Sequence, residues 1–83
     1  MSVLSKQSVA LYIPIVDELI ENNSKDEQHI ERILDGLLDF CFEDEALELY
    51  KKVCRYYFDI NPQATVEYIN YYRDMYEEES ALQ

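Results

Sequence analysis

Between Ser24 and Glu43 two kinds of residue recur with one helical rhythm. Apolar side chains stand at Ile30, Ile33, Leu34, Leu37, Leu38 and Cys41. Carboxylates stand at every fourth position, at Glu27, Glu31, Asp35, Asp39 and Glu43. At 3.6 residues per turn, steps of four drift by only about 40°, so the two sets mark two faces of one amphipathic helix. A chain organised around such a helix buries one side and leaves the other charged. Ser24 and Glu27 precede the apolar run as a capping box, in which each side chain satisfies an unpaired backbone N–H. The spacing predicts a helix over about 25–42.

The rest of the chain follows the same rhythm. One glycine and two prolines in 83 residues leave little turn chemistry for a many-stranded sheet. A first helix is expected over about 6–22, bent at Pro14, because a proline inside a helix removes one backbone bond and crowds the carbonyl four residues back. The apolar phase of the second helix breaks after Cys41, where Asp44, Glu45 and Glu48 occupy the positions that would be buried. A turn at 42–45 with Asp44 as N-cap, and a third helix over about 45–58, accounts for the break. A single long helix with a twisted apolar stripe is the alternative. Asn61 and Pro62 read as N-cap and first residue of a fourth helix, about 62–78. The tail 79–83 reads as a frayed acidic end. Four helices with short loops predict one all-α domain over 1–83, either an antiparallel four-helix bundle or two stacked helical hairpins. Gly36 lies inside the second helix, where it permits close approach of a neighbouring helix or of a partner, or has no role at all.

The charge restricts the partners. Eighteen acids face seven bases, a formal net charge of −11. Such a surface repels nucleic acid and anionic lipid and attracts basic proteins. The apolar run Val9–Val16 is too short to span a bilayer. No secretory signal is visible, which makes the cytoplasm the expected compartment. Cys41 and Cys54 read as reduced, buried thiols. Two cysteines and the single His29 do not make a four-ligand zinc set, and no metal or cofactor is expected. No nucleophile–base signature or phosphate loop is present, so the chain does not read as an enzyme.

Three features read as partner-binding. The first is the carboxylate stripe, represented by Glu27, Glu31, Asp35 and Asp39, whose like charges sit side by side with only Arg32 between them. The second is the fourth helix. On a wheel centred on Ile69, its core face takes Val66, Thr65, Tyr72 and Tyr76. Tyr68, Tyr71, Met75 and Ala64 widen the apolar arc to roughly 220°. This is more than a bundle helix needs, so tyrosines such as Tyr68 and Tyr71 are expected to stay accessible. The third is Tyr56, which the third helix turns outward, with Asp59 at that helix's end. Lys51, Lys52 and Arg55 form the one basic cluster and are expected to pair locally, Lys52 with Glu48 and Arg55 beside Asp59.

Size, acidity and layout make the chain similar to the immunity proteins of nuclease colicins. In that family acidic residues on helix 2 and a Tyr-Tyr pair on helix 3 recognise a basic toxin. The matching features are Glu31, Asp35 and Asp39, and Tyr56-Tyr57. The third helix is longer here, and Phe58 rather than proline follows the pair. The resemblance implies a four-helix protein that binds and neutralises a basic bacterial toxin such as a nuclease. Ala46, Tyr50, Val53 and Asn61-Pro62 also resemble the closing half of a tetratricopeptide hairpin, without its 34-residue period. A self-associating or adaptor helical module, including a homodimer through the fourth helix, is the competing expectation.

Overall fold

Four helices account for most of residues 2–76, the part of the chain that the computed structural model describes, with side chains from Val9 onward. They are α1 (Ser2–Glu21), α2 (Glu27–Leu38), α3 (Asp44–Phe58) and α4 (Pro62–Tyr76). The protein is an all-α helical bundle, with no strand among the described residues. The expected frayed tail lies outside them.

Each boundary has a local cause. Asn23 takes a positive φ of 52°, a conformation that asparagine tolerates better than most residues. Around it Ser24 N–H donates to the Leu19 carbonyl at 3.2 Å and Asn23 N–H to the Ile20 carbonyl at 3.1 Å. This Schellman arrangement ends α1 and occupies Ser24. The expected Ser24–Glu27 capping box therefore does not form. Asp26 is the N-cap of α2, and its side chain accepts from His29 N–H at 3.3 Å. At the other end α2 stops at Leu38, short of residue 42. Three-residue turns follow, with Phe40 N–H on the Leu37 carbonyl and Glu43 N–H on the Phe40 carbonyl, both at 2.9 Å. These turns swing Cys41 into the core and leave Phe42 exposed. Glu43, not Asp44, is the N-cap of α3, without a side-chain bond. Asp44 and Glu45 fill the first turn, where the helix dipole favours them. Asn61 caps α4 as expected, its side-chain oxygen accepting from Ala64 N–H at 3.1 Å.

Helix α1 begins at Ser2, earlier than its sequence pattern predicts, and continues through Pro14. Ala10 and Pro14 both face solvent, so the carbonyl that Pro14 leaves without a donor is open to water. Helix α3 packs against α1, α2 and α4, which makes it the centre of the fold. Val9, Val16 and Leu19 of α1 close one side of the core, and Ile30, Ile33, Leu34 and Leu37 of α2 close another. Between them lie Ala46, Tyr50, Val53, Cys54 and Tyr57 of α3.

The wheel of α4 is in a different phase from the one the sequence suggests. Thr65 is buried and Tyr72 and Tyr76 are half-buried against the core, as expected, but Tyr68 is buried with them while Val66 and Ile69 are exposed. The reason is the position of α2. α4 turns its tyrosines towards α2 to place their hydroxyls on polar partners, and this rotates Ile69 away from the core.

Gly36 lies under the ring of Tyr12. A Cβ at residue 36 would run into the Tyr12 hydroxyl and lie 2.8 Å from its ring carbon Cζ. The glycine thus permits the close approach of α1. Gly36→Ala should change stability by less than about 1 kcal/mol, because better helix propensity offsets the displaced ring tip. Gly36→Leu should evict Tyr12 and cost about 1–3 kcal/mol in urea denaturation. Tyr12→Ala in the same chain should recover part of that loss. Equal stability of all three variants would mean that Tyr12 does not seat on α2.

Candidate functional site: a tyrosine-braced carboxylate row

The carboxylates of α2 face the edge where α3 and α4 meet it, and each of the first three receives a neutral donor. Asn61 Nδ2 donates to Glu27 Oε1 at 3.0 Å. Tyr57 Oη donates to Glu31 Oε2 at 2.6 Å and lies 3.4 Å from Glu27 Oε1. A hydroxyl has one proton, so the shorter contact is the hydrogen bond and the longer one is electrostatic. Tyr68 Oη donates to Asp35 Oδ1 at 2.9 Å. A fourth rung closes the series, where Tyr76 Oη donates to the Leu38 carbonyl at 2.7 Å. The rungs climb α2 from its first turn to its last residue.

The donors are fixed from below. Tyr57 is fully buried at the centre of α3. Tyr68 is only 7% exposed, and its carbonyl accepts from Tyr50 Oη at 2.6 Å. Tyr71 stacks edge-on against Tyr68, with centroids 5.4 Å apart at 83°. Burial pushes the hydroxyls of Tyr57 and Tyr68 well above the usual phenol range, helped by the bonds to Glu31 and Asp35 and by their charge. Both remain protonated donors. They orient the carboxylates without neutralising them.

Among the described residues no cation is seen paired with the row either. Lys52 pairs instead with Asp17 of α1, at 3.4 Å. Arg32 is exposed and pairs with none of the row. Glu27 and Asp35 are exposed and Glu31 is half-buried. A carboxylate has about four acceptor positions, so each can accept further bonds from outside.

Of the eight residues singled out in the sequence, the structure brings together Glu27, Glu31, Asp35 and Tyr68, with Tyr71 packed beside them. Three expectations are corrected. Tyr68 is a buried brace rather than an accessible contact. Tyr56 does not turn outward; it is half-buried and its hydroxyl donates to the Ser24 carbonyl at 2.5 Å, clamping the α1–α2 turn. Lys52 pairs with Asp17 rather than Glu48, and Lys51 and Arg55 form no ion pair. Asp39 and Asp59 are exposed C-caps of α2 and α3 and belong to no rung. The sequence reading takes Tyr57 as half of a recognition pair, Asn61 as a cap and Tyr76 as core, and misses that they brace α2. Their signal was a spacing of multiples of four residues, Tyr57 to Asn61 and Tyr68 to Tyr76, in step with the carboxylates.

Cys41 and Cys54 are free and buried. Burial pushes their thiols up, to about 12 and about 11. Among the described residues no group of three or more His, Cys, Asp or Glu side chains is placed to hold a metal ion. No helix among them is long and apolar enough to cross a membrane. No protein-family model, curated protein or solved structure matches the chain. The functional reading therefore rests on the geometry of the row.

Proposed function

We propose that the chain is a small acidic inhibitor that binds a basic protein one to one, most concretely an immunity protein that neutralises a bacterial toxin such as a nuclease in the cytoplasm. The observation that carries this reading is the row Glu27, Glu31 and Asp35, held by neutral donors and without counter-cations among the described residues. Side chains already fixed by hydrogen bonds lose little freedom when a partner's lysines and arginines arrive, so more of the interaction energy appears as affinity. The net charge of −11 accelerates encounter. Tyr71, 46% exposed beside Asp35's brace, supplies an aromatic anchor at the edge of the charged patch. Inhibition follows if the row covers a basic active site or the entry channel for an anionic substrate.

The test is affinity capture from the native host, followed by kinetics on the recovered protein. The expected partner is basic, toxic when expressed alone and inert in a stoichiometric complex. Glu27→Gln, Glu31→Gln and Asp35→Asn together keep the acceptor oxygens for the rungs but remove the charge. They should slow association by about tenfold or more and flatten its salt dependence. Unchanged association in the triple variant, or a partner with no activity to inhibit, would sink the reading.

A further inference from the structure

A second, chemically opposite feature shares no residue with the carboxylate row. A groove of about 490 Å³ runs between α3 and α4. Its apolar lining includes Leu47, Phe58 and Ile69, the last two 51% and 40% exposed. Lys51 and Arg55, one helical turn apart on α3, stand along one wall. Both are exposed, and among the described residues neither forms an ion pair although acids outnumber bases by eleven in the sequence. An apolar channel edged by Lys51 and Arg55 fits a helix whose apolar stripe ends in carboxylates.

The chain itself presents such a stripe. On α1, Leu11, Pro14, Ile15 and Glu18 follow one another at i, i+3, i+4 and i+7, and all are exposed. Leu11 is 69% and Ile15 38% exposed. Glu21, also exposed and without an ion pair among the described residues, lies one turn past Glu18. Along the helix axes Glu18 and Glu21 stand about 4.5 Å apart and Lys51 and Arg55 about 6 Å apart, at about 1.5 Å per residue. The two spacings are close, and the carboxylates of one feature answer the cations of the other. We infer that the α3–α4 groove receives the α1 ridge of a second copy of this chain, with Glu18 and Glu21 meeting Lys51 and Arg55. No residue of α1 lines the groove, so ridge and groove are separate surfaces. The contact is head-to-tail. Each copy keeps one ridge and one groove for the next, and association grows past the dimer. One helix in one groove is a small interface, which places the interaction at the weak, reversible end.

Sedimentation velocity at physiological salt, from about 10 μM to about 1 mM, tests this directly. The expected result is a reversible rise in mass with concentration that does not stop at two copies. Lys51→Glu with Arg55→Glu, and separately Glu18→Lys with Glu21→Lys, should each weaken association by about tenfold or more. Mixing the two variants should restore it, because each then offers the charge that the other lacks. Both variants keep a net negative charge, so the recovery cannot come from general attraction. Circular dichroism of each variant checks that its helices are intact. A wild-type chain that stays monomeric to about 1 mM overturns the inference and leaves the groove to an acidic helix of another protein. Variants that associate like wild type, or a mixture that does not recover, overturn it as well.

Discussion

Tyr57→Ala should cost about 3–5 kcal/mol, the range for removing a fully buried aromatic side chain. A domain of this length has a total stability of about 4–12 kcal/mol, so the variant should be largely or wholly unfolded at modest urea concentrations. The size of the effect has two sources. Tyr57 is fully buried in α3, the helix against which α1, α2 and α4 all pack, so its loss opens a cavity in the centre of the bundle. Its hydroxyl also braces Glu31, which would then face Glu27 and Asp35 on the same helix without a donor. Tyr57→Phe separates the two, because it keeps the ring and removes the bond; about 1–2 kcal/mol is expected. Tyr71→Ala, on an exposed ring, should cost less than about 1 kcal/mol. Urea denaturation followed by circular dichroism measures all three. An alanine variant at position 57 as stable as wild type would show that α3 is not the structural centre.

The second large effect is alkaline. Tyr50, Tyr57, Tyr68 and Tyr76 are all shifted upward, first by burial, and Cys41 and Cys54 rise to about 12 and about 11. A group whose folded value lies above its unfolded one stabilises the fold fully below the unfolded value. That contribution is lost as pH rises towards the folded value. For the thiols the loss begins near pH 9.0, and for the phenols near pH 10.0. Each group contributes up to about 1.4 kcal/mol per pH unit once its unfolded form ionises. Several acting together should unfold the protein cooperatively above about pH 10. Tyrosinate absorbance and helix content should change in the same narrow interval. Tyr57→Phe with Tyr68→Phe should make that transition shallower, since two fewer protons are released. A broad tyrosinate titration with helix intact beyond pH 12.0 would contradict the buried hydroxyl network.

Much of this architecture is legible in the sequence. Ile30, Ile33, Leu34 and Leu37 fall on the buried face of α2 because helical periodicity is set by local geometry. Asn61 and Pro62 start α4 because a cap and a fixed φ act within four residues. The break after Cys41 is a change of phase, and it appears in the structure as a run of tight turns. The carboxylate stripe was legible as a stripe. That it is braced from within was not, because its donors lie 26 to 34 residues away and no local pattern joins them. The same gap explains the misplaced face of α4. A wheel counts apolar area, and by that measure Ile69 outranks Tyr68. The folded chain ranks Tyr68 first because its hydroxyl reaches Asp35. Lys52 prefers Asp17, 35 residues away, to its helical neighbour for an equally non-local reason.

The position of α3 sets the order in which the chain can assemble. Each helix packs on the next one in sequence, and the one further strong contact, α1 with α3, skips a single helix. Loops that close over so few residues have a small entropic cost, and topologies of this kind fold in microseconds to milliseconds. During synthesis α1, α2 and α3 can form a three-helix unit before α4 has been made. The tyrosines of α4 then act as a latch: Tyr68 and Tyr76 fasten onto α2 only after the surface that receives them is complete.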